Sequence, residues 1–217
     1  MTLLSILKQN RYFFIGYFLL ILLALYFIVS FSKVEGHILL NTMHTKPLDY
    51  LFRGMTLLGD GIFVIGLVLV LWLFKNKYLA LMILAGYLVS SIPVQVLKNI
   101  MDAARPAVFL KGIDYPYFVE GVTVHNYNSF PSGHTATAFA LATCLVLGLK
   151  RARYGFVILL LATAVGYSRI YLSQHFIQDV FVGSIIGVLS GVLVFLFLDK
   201  WVKKITKKEI SENDISK

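Results

Sequence analysis

The stretch Phe130-Pro131-Ser132-Gly133-His134 leads straight into an apolar run over 135–149. A helix that starts there directs its first, unpaired backbone N–H groups and the positive end of its dipole at one point, which suits an anion. Gly133 has no side chain to hold a ligand away from the backbone. Ser132 adds a hydroxyl donor, and His134 adds a group that titrates near neutral pH. Alone, the stretch also reads as an N-cap turn with an incidental histidine.

Two further groups bring charge and a nucleophile. Lys98, Arg105 and Pro106 form the pattern K-x6-R-P. Two cations beyond a helix end clamp a phosphate well, Arg as a bidentate fork and Lys as a point charge, although ordinary membrane-flanking charges have the same look. Ser168, Arg169, His175 and Asp179 form S-R-x5-H-x3-D. Arg169 falls near the end of an apolar segment, where an unpaired charge is costly. His175 and Asp179 are spaced i, i+4, so on a helix the carboxylate accepts the imidazole N–H and fixes its tautomer. That is a nucleophile or base with its orienting group. An interfacial histidine beside a capping aspartate gives the same letters.

The elements that must position these residues are membrane spans. The chain of 217 residues is 58% hydrophobic and 14% charged, with mean hydropathy +0.78. Six segments approach the roughly 20 apolar residues that a crossing requires: 12–31, 55–74, 78–97, 134–149, 154–172 and 177–198. The fourth is short and carries Thr135, Thr137 and Thr143, which places it inside the bundle. The predicted fold is all-α, a six-transmembrane-helix bundle forming one domain over 1–217, with a basic cytoplasmic tail at 199–217. The first segment is too long for a signal-peptide core and no small-residue cleavage site follows, so it reads as a signal anchor. Cys144 is the one cysteine and lies in an apolar run, so it reads as packing.

The net charge of +9 is mostly topology. With the N-terminus inside, 13 of the 20 Lys and Arg fall on the inner face: Lys8, Arg11, Lys75, Lys77, Lys150, Arg151, Arg153 and six lysines from Lys200 onward. The outer face receives the other seven. The positive-inside rule then puts both termini in the cytoplasm, with the tail on anionic headgroups or simply solvated. A nucleic-acid partner is not expected. Two long outer loops result. Loop 32–53 carries His37, His44 and an interfacial Ile38-Leu39-Leu40; loop 98–131 carries Tyr115, Tyr117, Phe118 and Tyr127 at headgroup level. In this topology all three chemical groups reach the outer, periplasmic rim of the inner membrane, although the crossings were assigned from hydropathy and charge bias alone.

In this order, K-x6-R-P, P-S-G-H and S-R-x5-H-x3-D resemble the signature of the type 2 phosphatidic acid phosphatase family. Its relatives include bacterial lipid phosphatases, glucose-6-phosphatase and vanadium haloperoxidases. Every motif position is matched, and the resemblance runs from about residue 55 to the last segment. It implies a covalent phosphoryl transfer. His175, held by Asp179, would be the nucleophile; His134 would protonate the leaving oxygen and then activate water. Lys98, Arg105 and Arg169 would hold the nonbridging oxygens, with Ser132 and the Gly133 N–H as further donors. Three cations stand in for a metal, so neither metal nor cofactor is expected. The implied substrate is a lipid phosphate or diphosphate reached from the bilayer: undecaprenyl diphosphate, phosphatidylglycerophosphate, phosphatidic acid or a lipid A phosphate. The alternatives are a lipid phosphotransferase with an acceptor other than water, and a six-helix transporter using Ser90, Ser91 and Gln95 near Pro93. Asp60, an acid inside the second segment, is either a partner for a site cation or a structural acceptor. His125 and Asn126 either touch the headgroup or are solvated.

Overall fold

A computed structural model describes the backbone of residues 3–149 and 152–215, with side chains as far as Trp201 apart from Ala152. Lys150, Arg151 and the tail lysines from Lys203 onward, counted above as inner-face charges, lie outside the described side chains.

Among the described residues the regular structure is helical: α1 (Leu3–Gln9), α2 (Arg11–Ser30), α3 (Lys33–Leu40), α4 (Lys46–Leu57), α5 (Gly61–Leu73), α6 (Lys77–Met101), α7 (Pro106–Phe109), α8 (Gly133–Leu149), α9 (Gly155–Tyr171) and α10 (Ile177–Ile215). Helices α2, α10 and the α6–α7 run are each long and apolar enough to cross a membrane, and the bent pair α4–α5 adds a fourth candidate span. Helices α8 and α9 are apolar but have 17 residues each. Phe18, Leu23 and Val29 on α2 and Leu193 and Phe197 on α10 are exposed. An apolar belt of this kind suits a hydrocarbon medium.

The expected continuous crossing at 55–74 is corrected. The chain breaks at Leu58–Asp60, and α4 and α5 diverge by 59°. The cause is local. Asp60 adopts an extended backbone and accepts a hydrogen bond from Ile62 N at 2.8 Å, which starts a new helix. Asp60 therefore N-caps α5 instead of sitting within a helix. The third expected segment also changes: α6 continues past Lys98, which lies in the last turn, and ends at a left-handed Asp102. The loop expected at 32–53 contains α3, capped by a reciprocal Ser32–Glu35 pair, and the start of α4, capped by Thr45.

Helix α8 is the buried centre of the bundle, with Thr135, Thr137 and Thr143 all buried. It packs closely on α10 because α10 presents Gly183, Gly187 and Gly191 to it. A Cβ at Gly183 would stand 2.6 Å from Ser132 O, and one at Gly191 2.6 Å from Thr143 Cβ; at Gly187 it would strike Ala136 O. Small residues at every fourth position permit this backbone approach. The contact is closed at the top by Ser132 N, which donates to Asp179 O at 3.0 Å. Gly187→Ile is expected to lower the melting temperature in detergent through about 1–3 kcal/mol of overpacking. Gly66→Ile, at a position with open space around it, serves as the control. Equal melting temperatures for the two variants would contradict the close packing.

Candidate active site

The P-S-G-H turn begins α8, and its Phe130–Pro131 peptide bond is cis. The Ser132 hydroxyl is fully buried and turns into the helix, where it accepts from Thr135 Oγ1 at 2.8 Å and from Thr135 N at 3.4 Å. It caps α8 and does not line the cavity described below, which differs from the expectation of a direct phosphate donor. Gly133 and His134 do line it.

The second histidine sits in a tight turn between α9 and α10. Ser173 takes a left-handed backbone (φ 52), and the backbone N–H groups of Gln174 and His175 both donate to Arg169 O, at 2.9 and 3.1 Å. This ties the turn to the residue whose guanidinium faces the cavity. Asp179, on the first turn of α10, accepts from Ser129 Oγ at 2.5 Å and from Phe176 N at 2.9 Å. Its Oδ2 lies 3.5 Å from His175 Nδ1. That separation is slightly long for a hydrogen bond, as catalytic pairs commonly are before substrate binds. With Nδ1 turned to the carboxylate, Nε2 is the ring nitrogen left for the cavity. The side chains are 2% and 1% exposed.

The cations are fixed by the loops. Arg105 donates to Tyr127 O at 2.8 Å and to Gln174 O and Oε1, both at 3.1 Å; Lys98 Nζ donates to Asn128 O at 3.1 Å. Arg169 Nη1 donates to Thr56 Oγ1 at 2.5 Å, while its buried Nε has no partner. Lys98, Arg105, Gly133, His134, Arg169 and His175 line one cavity of about 730 Å³. His125, left open by the sequence, is in its wall, and Asn126 contributes a carbonyl that accepts from Arg105 N. Asp60 Oδ2 lies 3.7 Å from His134 Nε2, so the acid both caps α5 and faces the catalytic candidate. Sequence reasoning missed Arg53 and Thr56, which α4 brings to the cavity, and Ser129, which holds Asp179. Among the described residues no three His, Cys, Asp or Glu side chains gather to hold a metal. The arrangement suits a tetrahedral anion: three cations, one buried imidazole with its orienting acid, and a second imidazole line the same cavity.

The sequence profile of the PAP2 superfamily matches residues 74–203, more than half of the chain. This chain belongs to the PAP2 superfamily. Among its relatives is the bacitracin transport permease protein BcrC of Bacillus licheniformis, 32% identical over 56% of this chain and 56% of its own length. Among solved structures, LpxE of Aquifex aeolicus is 31% identical with a TM-score of 0.67, covering 77% of this chain and 97% of its own. The first transmembrane PAP2 type phosphatidylglycerolphosphate phosphatase from Bacillus subtilis is 25% identical with a TM-score of 0.64, covering 89% and 97%. The chain thus spans little more than half the length of the curated relative named here, and nearly all of the two solved PAP2 structures.

Behind the PAP2 turn lies a group that no spacing announced. His37, on α3, is buried with its ring 5.3 Å from Phe176, its Nε2 3.0 Å from Asn41 Nδ2 and 3.3 Å from Ser173 Oγ. Tyr115 OH adds a 3.0 Å hydrogen bond to Ser173 Oγ. Helix α3 and the aromatic loop therefore brace the turn that carries His175. Burial pushes the His175 imidazole down to about 3, with Arg169 and Arg105 adding to the effect and Asp179 opposing it. Burial likewise pushes His37 down to about 4. Both rings stay neutral where an unfolded histidine, near 6.5, would take a proton. Above pH 6.5 neither affects stability; as pH falls from 6.5 toward 4 the unfolded chain alone gains protons and stability is lost. The melting temperature in detergent is expected to fall between pH 6.5 and 4.5. A rise over that range would contradict the neutral assignment.

Proposed function

We propose that this PAP2 protein is an integral-membrane phosphatase of lipid phosphates or diphosphates that works through a phosphohistidine at His175. The observation that supports it most is the gathering of Lys98, Arg105, His134, Arg169 and His175 on one cavity from three distant parts of the chain. The name of a further relative agrees in class: phosphatidylglycerophosphatase B of Bacillus subtilis is 28% identical over 74% of this chain and 80% of its own length.

In this reading His175 Nε2 attacks phosphorus and the bond to the leaving oxygen breaks. His134 delivers a proton to that oxygen. Water then attacks the phosphohistidine, His134 takes its proton, and inorganic phosphate leaves. Lys98, Arg105 and Arg169 hold the nonbridging oxygens, and the Gly133 N–H at the start of α8 adds a donor. A loose phosphoryl transition state asks mainly for positioning and charge stabilisation, which these groups supply. The chain crosses the bilayer six times, with α4–α5 as one bent crossing and α8 and α9 as short central ones. Both termini are cytoplasmic, and the cavity faces the outer side, where a lipid headgroup meets it with its tails still in the bilayer.

Phosphate release from a panel of purified lipid phosphates in detergent tests the reading; release from none of them would overturn it. Release is also expected to withstand excess EDTA. Loss of activity restored by Mg²⁺ would contradict the three-cation account.

A further inference from the structure

His134 sits where its task is opposed. To protonate a leaving oxygen it must carry a proton when the substrate arrives, yet the cavity that it lines also holds Lys98, Arg105 and Arg169. Like charges close by disfavour a further one. His175 and His125 line the same cavity and bring no negative charge. Asp179 is occupied by Ser129 Oγ, Phe176 N and His175 Nδ1. Among the described residues, the carboxylate within ion-pair reach of His134 is Asp60, with Oδ2 3.7 Å from Nε2.

The break between α4 and α5 fixes this carboxylate. Its Oδ1 accepts from Ile62 N at 2.8 Å, which leaves Oδ2 for the imidazole. Asp60 N is tied back to Leu57 O at 3.1 Å. The glycines on either side are pressed against neighbours. A Cβ at Gly59 would lie 2.7 Å from His134 O and 3.1 Å from His134 Cβ, and one at Gly61 would strike the Tyr87 hydroxyl on α6. Gly59 and Gly61 line a smaller cavity of about 410 Å³ that shares His134 with the first, whereas Asp60 lines neither. Asp60 therefore acts on the imidazole and not on a ligand. A separation of 3.7 Å is too long for a hydrogen bond, so the N–H stays free to be given away. It is short enough for opposite charges to attract in a partly enclosed site.

Resting on the phosphatase reading, we propose that Asp60 is a positioning residue for both proton transfers: it stabilises the positive charge of His134. In the first step the bond from phosphorus to the leaving oxygen breaks, the proton passes from His134 to that oxygen, and the imidazole becomes neutral. In the second, water attacks the phosphohistidine and the imidazole takes a proton from it. Asp60 gives and takes none. The site then holds two imidazole–carboxylate pairs with different duties, Asp179 orienting the neutral nucleophile and Asp60 supporting the charged acid.

The test uses the purified full-length protein in detergent and two kinds of ester. One is phosphatidic acid or phosphatidylglycerophosphate, whichever the wild type hydrolyses faster; its alcohol leaving group needs the proton. The other is 4-nitrophenyl phosphate, whose leaving group does not. Asp60→Asn removes the charge and keeps the cap, since Asn caps a helix about as well as Asp. On the lipid its kcat should fall roughly 10–100-fold with little change in KM, less than the roughly 10²–10⁴-fold that a whole general acid supplies. On the aryl ester its initial burst of nitrophenol should keep the wild-type rate to within about threefold. Asp60→Glu keeps the charge on a poorer cap and should be the more active variant on the lipid; a purely capping role ranks the two the other way. Equal losses on both esters, wild-type kcat on the lipid in Asp60→Asn, or a glutamate variant no better than the asparagine one would overturn the inference with the phosphatase reading intact. Wild-type protein that hydrolyses neither lipid would also overturn it, because no alkoxide would then leave. Phosphate release from no ester at all would sink the phosphatase reading itself.

Discussion

His175→Ala is expected to abolish turnover, with kcat down by roughly 10⁴-fold or more, the scale seen when a covalent nucleophile is removed. The reason is that nothing else in the cavity takes over the role. Among the lining residues, His134 and His125 are the other imidazoles. His134 Nε2 lies 3.7 Å from Asp60 and is the proton donor in the proposed mechanism, and His125 comes from the loop before the second motif. Arg169 and the Gln174–His175 turn are tied by backbone hydrogen bonds, not through the imidazole, so the cations stay in place in the variant. Substrate affinity should therefore be largely kept while kcat is lost. The measurement is phosphate release with substrate binding followed separately. Most of the activity remaining in His175→Ala would show that the nucleophile has been misassigned.

Asp179→Asn should cost roughly 10³–10⁴-fold in kcat, comparable to loss of the orienting carboxylate in a serine-protease triad. Asp179 Oδ2 is the meeting point of three groups: Ser129 Oγ, Phe176 N and His175 Nδ1. The first two donate to it, and the third faces it at 3.5 Å. An asparagine must turn either its oxygen or its NH₂ toward them. If the oxygen stays, the charge that favours Nδ1–H is gone; if the NH₂ turns inward, it meets two donors and the turn is disturbed. Ser129→Ala removes one of the three contacts and should be milder. The readout is kcat against KM for both variants. The serine variant being the more damaging of the two would contradict the orienting role of Asp179.

The residues that gather on the cavity were legible in the sequence because they stand as particular types at short, fixed spacings. His175 and Asp179 are four apart because one turn of structure joins them, and Gly133-His134 is legible because a helix must start there. The long apolar helices α2, α6 and α10 were legible from apolar length; α4–α5 was not, because hydropathy averaged over a break, and α8 and α9 are apolar helices of only 17 residues each. Gly59-Asp60-Gly61 carries the signal of a helix end and a new N-cap, yet its apolar neighbours on both sides hid it in the window. That break is what turns α4 over the cavity, so Arg53 and Thr56 followed from a bend that length counting does not register. Ser132 stands outside the cavity lining for a related reason: a serine before a helix caps it or serves a ligand, and local spacing does not say which. His37 and Tyr115 meet Ser173, and Asn41 donates to Ile170 O, across more than 50 residues of chain. No local spacing encodes those contacts.

The central claim is that His175 becomes phosphorylated, and it can be read directly. His134→Ala, given an activated aryl phosphate whose leaving group needs no proton, should form the intermediate and hydrolyse it slowly. Alkaline quenching, which spares phosphohistidine, followed by peptide mass spectrometry, should place the phosphoryl group on His175. A label on His134 or any other residue in the wild-type protein, or turnover with no covalent label in either protein, would contradict the account.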